Sequence, residues 1–136
     1  MSAYDGPHEH RVSLAAAESA AHLTVKPRVA VTGGRNYANS ETTQRALALL
    51  SPDVTLVCGA ATGADALCAE LWESLGRPVE RHPADWDRLG RAAGPVRNQQ
   101  MIDSGVGLLI AFPGGRGTAD MIRRAHKSGV PVAEFR

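Results

Sequence analysis

Lysine is nearly absent from this 136-residue chain, which contains it only at Lys26 and Lys127. Neither lysine follows a glycine-rich segment, so the GxxxxGK(S/T) loop of the P-loop nucleotide hydrolases is missing. Net charge is also small, because 15 lysines and arginines stand against 14 acidic residues. The balance gives no reason to expect a bulk polyelectrolyte partner, although it is compatible with a local basic patch.

Cysteine is scarce as well, since only Cys58 and Cys68 occur and they form no CxxC pair. This argues against a disulfide scaffold and against a structural zinc site, and we predict neither a metal nor a cofactor. No apolar run approaches the roughly 18 residues of a membrane span. Asp5 and Glu9 stand where a secretory signal would carry positive charge. We expect a soluble protein of the reducing cytoplasm, with no membrane partner.

Two regions of the chain differ in composition. Residues 1–27 contain three histidines and an Ala/Ser run but few aliphatic side chains. We interpret them as a tail, or as a short helix packed on the domain surface. Residues 28–136 have the ordinary composition of a globular domain, and we predict that they form one nucleotide-binding domain.

Short apolar runs alternate with helical patterns from residue 28 onward. The runs at 29–32, 54–58, 79–82, 107–112 and 130–133 are typical of buried strands in a parallel sheet. Helices are predicted over 40–50, 62–75, 94–103 and 118–128, and Gly76 and Pro78 mark the end of the second one. The alternation predicts a Rossmann-like three-layer α/β/α fold, with a five-stranded parallel sheet in the order 3-2-1-4-5.

Glycine-rich segments follow three of the predicted strands. They are TGGRN at 32–36, GAATGAD at 59–65 and PGGRGTAD at 113–120. Glycine ahead of a helix lets a ligand approach backbone N–H groups that bind anions. Because the carboxyl ends of parallel strands share one sheet edge, these loops should converge. The predicted ligand is therefore a phosphate-bearing small molecule.

A dinucleotide-binding dehydrogenase does not fit this pattern. Its fingerprint requires GxGxxG after the first strand and an acidic residue at the end of the second. Here the first strand is followed by Gly33-Gly34-Arg35, and the second ends in Cys58-Gly59.

Two segments resemble a known family. PGGRGT at 113–118 resembles the PGGxGT signature of the LOG family, which releases a free base from nucleoside monophosphates, and RNQQM at 97–101 resembles the helix preceding that signature. Together with residues 32–35, 63–65 and 83–86, these motifs are more similar still to the YspA/YpsA-related branch of the SLOG superfamily, over roughly residues 28–135. The resemblance implies a Rossmann-like nucleotide-binding fold. It also implies a homodimer, because LOG relatives are often dimers that share the site.

One position departs from the LOG pattern. PGGxGTxxE ends in a catalytic glutamate, whereas Met121 stands at that place in this chain. The nearest acid is Asp120, one residue earlier, and one residue on a helix rotates a side chain by about 100°. Asp120 and Arg97 are the catalytic candidates, and Asp65 is the second carboxylate for that role. The lysine that follows the arginine in LOG enzymes is replaced by Asn98.

The candidate ligand-binding residues lie in the three loops, in the 97–101 segment and in a predicted loop over 83–90. Backbone N–H groups and arginines would hold a phosphate. Trp86 either stacks on a base or packs as a loop residue. Asp65 either meets ribose hydroxyls, acts as a general base or complements a helix dipole. The set is Gly33, Gly34, Arg35, Gly59, Thr62, Gly63, Asp65, Trp86, Arg97, Asn98, Pro113, Gly114, Gly115, Arg116, Gly117 and Thr118.

Three functions stay open at this point. The leading hypothesis is a domain that senses or handles a nucleotide or nucleotide-derived ligand. The second is a nucleoside 5′-monophosphate phosphoribohydrolase, which would cleave an N-glycosidic bond. The third is a single-stranded nucleic-acid binder, since a related SLOG branch includes DNA-processing proteins. Five arginines between 77 and 97 favour the third, whereas the few aromatics and the net charge of +1 disfavour it.

Overall fold

Five short parallel strands form one sheet in the computed structural model, which describes residues 27–136. They are β1 (Arg28–Thr32), β2 (Thr55–Gly59), β3 (Val79–His82), β4 (Leu108–Ala111) and β5 (Val132–Glu134). Their order is β3-β2-β1-β4-β5, and every neighbouring pair is parallel. The predicted Rossmann-like fold and strand order are confirmed. The tail or helix predicted over 1–27 lies, apart from Pro27, outside the described residues.

Helices connect the strands on both faces of the sheet. They are α1 (Ser40–Leu47), α2 (Ala64–Ser74), α3 (Trp86–Leu89), α4 (Ala93–Asp103) and α5 (Arg116–Lys127), with a 3-10 turn at Gly90–Ala92. Four of the five match helices predicted from the sequence. None of the helices in residues 27–136 is long and apolar enough to cross a membrane.

The segment predicted as a loop over 83–90 contains the short helix α3, which corrects that prediction. Asp85 caps the helix, because its Oδ1 accepts a hydrogen bond from the Arg88 backbone N–H at 3.2 Å. Gly90 ends it with a φ of +58°. A single turn has no apolar periodicity, so the sequence pattern could not reveal it. The helix holds Trp86 at its first position, beside the carboxyl edge of the sheet.

The core has two layers, one on each side of the sheet. On one side Val29, Leu56 and Leu108 pack against α1 and α2, and on the other Ala30, Val57 and Leu109 pack against α4 and α5. Trp72 on α2 is fully buried, and its indole N–H donates to the Val54 carbonyl at 2.9 Å. These layers fix the helices, so the loops that enter them are held at defined positions along the sheet edge.

Both cysteines are buried and carry free thiols, as predicted. Burial and the nearby Asp65 raise the pKa of Cys58 to about 12. The pKa of Cys68 is also raised, chiefly by burial. Because the thiolate is the reactive form, both side chains act as small apolar residues.

Candidate functional site

The three glycine-rich loops lie against one another at the carboxyl edge of the sheet. The Gly34 N–H donates to the Pro113 carbonyl at 2.9 Å, and the Gly34 carbonyl accepts from the Ala64 N–H at 3.1 Å. Gly34 thus joins the loop after β1 to the loops after β4 and β2. The convergence predicted from the strand order is present, and the loops form one connected surface.

Two of the glycines are needed for this contact. Gly63 has a φ of +74°, and a Cβ on it would overlap the Gly34 carbonyl oxygen. A Cβ on Gly114 would overlap the Gly34 backbone nitrogen of the loop after β1, and also the Thr118 hydroxyl. Both residues were predicted to bind ligand, but their contacts are with neighbouring loops. Their role in the structure is to let the loops approach one another.

A cleft of about 820 Å³ opens in front of the joined loops. Its volume lies within the roughly 300–1,000 Å³ range of small-molecule sites. Most of the predicted site residues line it. These are Gly33, Gly34, Arg35, Asp65, Trp86, Arg97, Asn98, Gly115, Arg116, Gly117, Thr118 and Asp120.

Gly59, Thr62 and Pro113 were also predicted to bind ligand, but they do not line this cleft. A Cβ on Gly59 would overlap the Arg97 guanidinium, which lies directly over it. The Thr62 hydroxyl donates to the Arg35 carbonyl at 3.3 Å, and the Pro113 carbonyl accepts from Gly34. These residues support the walls of the cleft from behind or from the side.

Several lining residues were missed by the sequence reasoning. Arg91 lies in the 3-10 turn, which has no sequence signature, and Gly94 and Pro95 open α4. Arg123 stands three residues after Asp120 on α5, and that helical spacing was the one available signal. With these residues, the cleft wall extends from the glycine loops onto the start of α4.

Positive charge dominates the cleft wall. Five arginines line it, and they outnumber the two lining carboxylates, Asp65 and Asp120. The arginines are Arg35, Arg91, Arg97, Arg116 and Arg123. Guanidinium groups pair with phosphate through two parallel hydrogen bonds, so this wall suits an anionic ligand.

The start of α5 adds backbone donors to the same wall. Gly115 precedes the helix, and the first helical hydrogen bond runs from the Ala119 N–H to the Gly115 carbonyl at 3.0 Å. The N–H groups of Arg116, Gly117 and Thr118 therefore have no acceptor within the helix. Among the described residues, no side chain caps this terminus. The helix dipole adds partial positive charge at the same point.

Asp65 is a buried carboxyl group that faces the cleft from the first turn of α2. It is 7% exposed, and burial raises its pKa to about 7. The charge of Arg97 and hydrogen bonds from the Ala61 and Gly59 backbone oppose that rise. Asp65 therefore exchanges a proton near neutral pH, as a general acid or base must.

Asp120 has the opposite character. Its Oδ2 accepts hydrogen bonds from Asn98 Nδ2 at 3.0 Å and Arg124 Nε at 2.8 Å, and its Oδ1 pairs with Arg123. Burial opposes ionisation, but these hydrogen bonds and charges outweigh it and hold the pKa of Asp120 below its usual value. Asp120 is thus a fixed, ionised carboxylate. Met121, at the place of the LOG glutamate, is fully buried under the sheet.

Arg97 and Asn98 lie between the two carboxylates. Arg97 Nε donates to Asn98 Oδ1 at 3.1 Å, and its Nη1 donates to the His82 carbonyl at 3.3 Å. Asn98 Nδ2 also donates to the Gly117 carbonyl at 3.2 Å. Two adjacent residues of α4 therefore fix the end of β3 and the first turn of α5 relative to each other.

Comparison with known proteins gives two matches. The sequence model of the YspA, cpYpsA-related SLOG family matches residues 27–89, which run from β1 through α3. The chain is also similar to the Gene 61 protein of Mycobacterium phage D29, at 38% identity over 120 residues, covering 79% of this chain and 95% of that protein. No solved structure gives a significant match.

Proposed function

From the premise that this chain belongs to the YspA, cpYpsA-related SLOG family, we propose that it binds a nucleotide or a nucleotide-derived phosphate ligand in the cleft at the sheet edge. Membership of the family supports a nucleotide-related Rossmann-like domain. The observation that carries the proposal is the open start of α5, which faces the same cleft as five arginines.

In this proposal the phosphate lies at the first turn of α5. The N–H groups of Gly117 and Thr118 donate to its oxygens, and the helix dipole favours its charge. Arg97 and Arg116, which line the cleft, supply the paired guanidinium donors. By binding the nucleotide, the domain would act as a nucleotide sensor or as a nucleotide-handling domain.

The test is calorimetric titration of the protein with nucleoside mono- and diphosphates. Arg116→Gln should weaken binding about tenfold or more, because a hydrogen bond to a charged group contributes roughly 1.5–3 kcal/mol. Arg81→Gln is the matched control, since Arg81 pairs with Glu73 on the surface outside the cleft. Equal affinities in the two variants, or no binding by the unmodified protein, would contradict the proposal.

Two features of the whole protein belong to the same proposal. The LOG resemblance supports a homodimer, which light scattering on the purified full chain would measure as twice the monomer mass. The two free cysteines support a reducing, cytoplasmic setting.

A second candidate function is hydrolysis of the N-glycosidic bond of a nucleotide. The observation that favours it is the pair Asp65 and Asp120, whose pKa values are shifted in opposite directions within one cleft. Such pairs divide the roles of proton donor and ionised carboxylate. Water would add to the sugar C1′ as the C1′–N bond breaks, and the departing base would take the bond electrons and a proton from Asp65. The Asp65 carboxylate would then accept the proton that the water loses, and Asp120 would stabilise the positive charge.

Chromatographic detection of free base separates the two functions. Asp65→Asn and Asp120→Asn should each abolish base release while calorimetry still detects nucleotide binding. Binding without release by the unmodified protein would leave the first function and exclude the second.

A further inference from the structure

A second, smaller pocket adjoins the cleft on the side of β3. It has a volume of about 280 Å³, and we call it the side pocket. It shares four lining residues with the main cleft, namely Arg35, Ala61, Trp86 and Arg97. Its remaining lining residues are Ala60, Thr62, Pro83 and Ala84. The two compartments therefore adjoin along these four residues.

The chemistry of the two compartments differs. The main cleft has five arginines and the open start of α5, and it suits phosphate. The residues that belong to the side pocket alone are two alanines, a proline and a threonine, none of which carries charge. The side pocket has room for one ring system and is far smaller than the main cleft. It suits the uncharged, planar part of a ligand whose anionic part lies in the main cleft.

Trp86 and Arg35 form a wall that lines both compartments. Trp86 is 47% exposed, whereas Trp72, the other tryptophan, is fully buried in the core. The Arg35 guanidinium lies over the Trp86 ring, with Cζ 5.3 Å from the ring centroid. An exposed indole at a pocket mouth presents a flat apolar surface, on which aromatic rings and guanidinium groups stack.

Both parts of the wall are held in place. Atom Cη2 of Trp86 reaches the start of α4, where it would lie 3.4 Å from a Cβ on Gly94. The Arg35 backbone is fixed through its carbonyl, which accepts the Thr62 hydroxyl hydrogen bond. The indole is thus positioned by α3 and α4, and the backbone of Arg35 by the loop after β2.

We propose that the side pocket is the base-binding subsite of the nucleotide site, with Trp86 and Arg35 as its stacking walls. The inference rests on the proposed function, since it requires the phosphate to lie in the main cleft. Trp86 then sets how much of the affinity comes from the base, and the size of the side pocket limits which rings can enter.

The experiment compares ribose 5-phosphate, which lacks a base, with the monophosphates of adenosine, guanosine, cytidine and uridine. Calorimetry should show at least one nucleotide binding about tenfold or more tighter than ribose 5-phosphate, as base–aromatic stacking predicts. The same nucleotide should change the tryptophan fluorescence, which reports on Trp86 because Trp72 is buried.

Three variants identify the subsite. Trp86→Ala should weaken nucleotides much more than it weakens ribose 5-phosphate, and it should abolish the fluorescence response. Trp86→Phe retains a ring and should recover most of the nucleotide affinity. Ala84→Leu adds bulk to a residue that lines the side pocket but not the main cleft, and it should weaken nucleotides alone.

The outcomes distinguish this inference from the function on which it rests. If all five compounds bind with equal affinity, or if Trp86→Ala and Ala84→Leu weaken ribose 5-phosphate as much as nucleotides, the side pocket does not hold the base. Phosphate binding in the main cleft would stand in that case. If none of the five compounds binds, the proposed function fails and the subsite with it.

Discussion

Helices α2 and α5 begin at equivalent positions in the fold, but they differ in whether the backbone N–H groups at their starts are open to a ligand. Each follows a glycine-rich loop at the carboxyl edge of a strand. At α2 the first N–H, that of Ala64, donates to Gly34, and an acid, Asp65, lies in the first turn. Among the described residues no side chain caps either helix, but the first turn of α5 contains no acid. The start of α2 holds the loops together, whereas that of α5 is open to an anion.

The largest effect is expected where the start of α2 meets the loop after β1. Gly63→Ala should destabilise the fold by about 3 kcal/mol or more, because the added Cβ overlaps a carbonyl oxygen at positive φ. Urea denaturation measures the change. Gly76→Ala is the matched control, since Gly76 has nearly the same φ, +75°, but no atom within 4 Å of the added Cβ. Equal losses in both variants would mean that the contact with Gly34 does not hold the loops.

The second-largest effect is expected from a negative charge placed at the start of α5. Gly117→Asp should weaken phosphate-ligand binding about a hundredfold, because its carboxylate would occupy the position of the phosphate and repel the ligand's negative charge. The same change should leave the fold intact or slightly more stable, since an acid there complements the helix dipole. Gly117 has room for a side chain, so Gly117→Ala is the control and should retain binding. Calorimetry that finds the two variants alike would contradict the phosphate position.

The third prediction concerns Asp65 and pH. Its pKa in the folded state is raised to about 7, so the folded protein binds the proton more tightly than the unfolded chain does. Stability should therefore fall as pH rises from about 4 to about 7 and level off above. Asp65→Asn should remove this slope, and its stability should gain about 2 kcal/mol relative to the unmodified protein across that range. Urea denaturation at pH 4 and pH 8 measures the difference, and parallel pH profiles would refute it.

The smallest effect is expected at Asp120, whose contribution to stability changes with pH in the opposite direction to that of Asp65. Its pKa is lowered in the folded state, so its contribution is fully present above the ordinary aspartate value and is lost as pH falls from that value through the lowered pKa of the folded state. Asp120→Asn should cost about 1 kcal/mol at pH 7, since it replaces a carboxylate held by three donors, and less at pH 3. A cost that does not depend on pH would mean that the ion pairs with Arg123 and Arg124 contribute nothing.

Much of this arrangement was predictable because it depends on local patterns. The apolar runs predicted the strands, their alternation with helices predicted the sheet order, and glycines after β1, β2 and β4 predicted the edge where the loops meet. The functions of single residues were less predictable, since they depend on contacts between distant segments. Gly63 and Gly114 were expected to touch ligand, but they touch other loops, and Gly59 lies beneath the Arg97 guanidinium.

Three further features could not be predicted from the sequence for the same reason. They are the pKa of Asp65, the side pocket and the position of Trp86. The pKa of Asp65 depends on its burial and on the opposing charge of Arg97, which lies on a helix 32 positions further along the chain. The side pocket forms between the loop after β2 and the end of β3, which no periodicity connects. Helix α3 is a single turn fixed by its Asp85 cap.

Met121 bears on which substitutions this site can accept. It is completely enclosed in the apolar layer with Ala30, Val57 and Leu109. A glutamate there would place an unpaired charge in that layer, which is among the changes that destabilise a fold most. The glutamate of the LOG pattern therefore cannot be grafted onto this core by one substitution. An engineered hydrolase built on this chain would have to use a carboxylate that already faces the cleft.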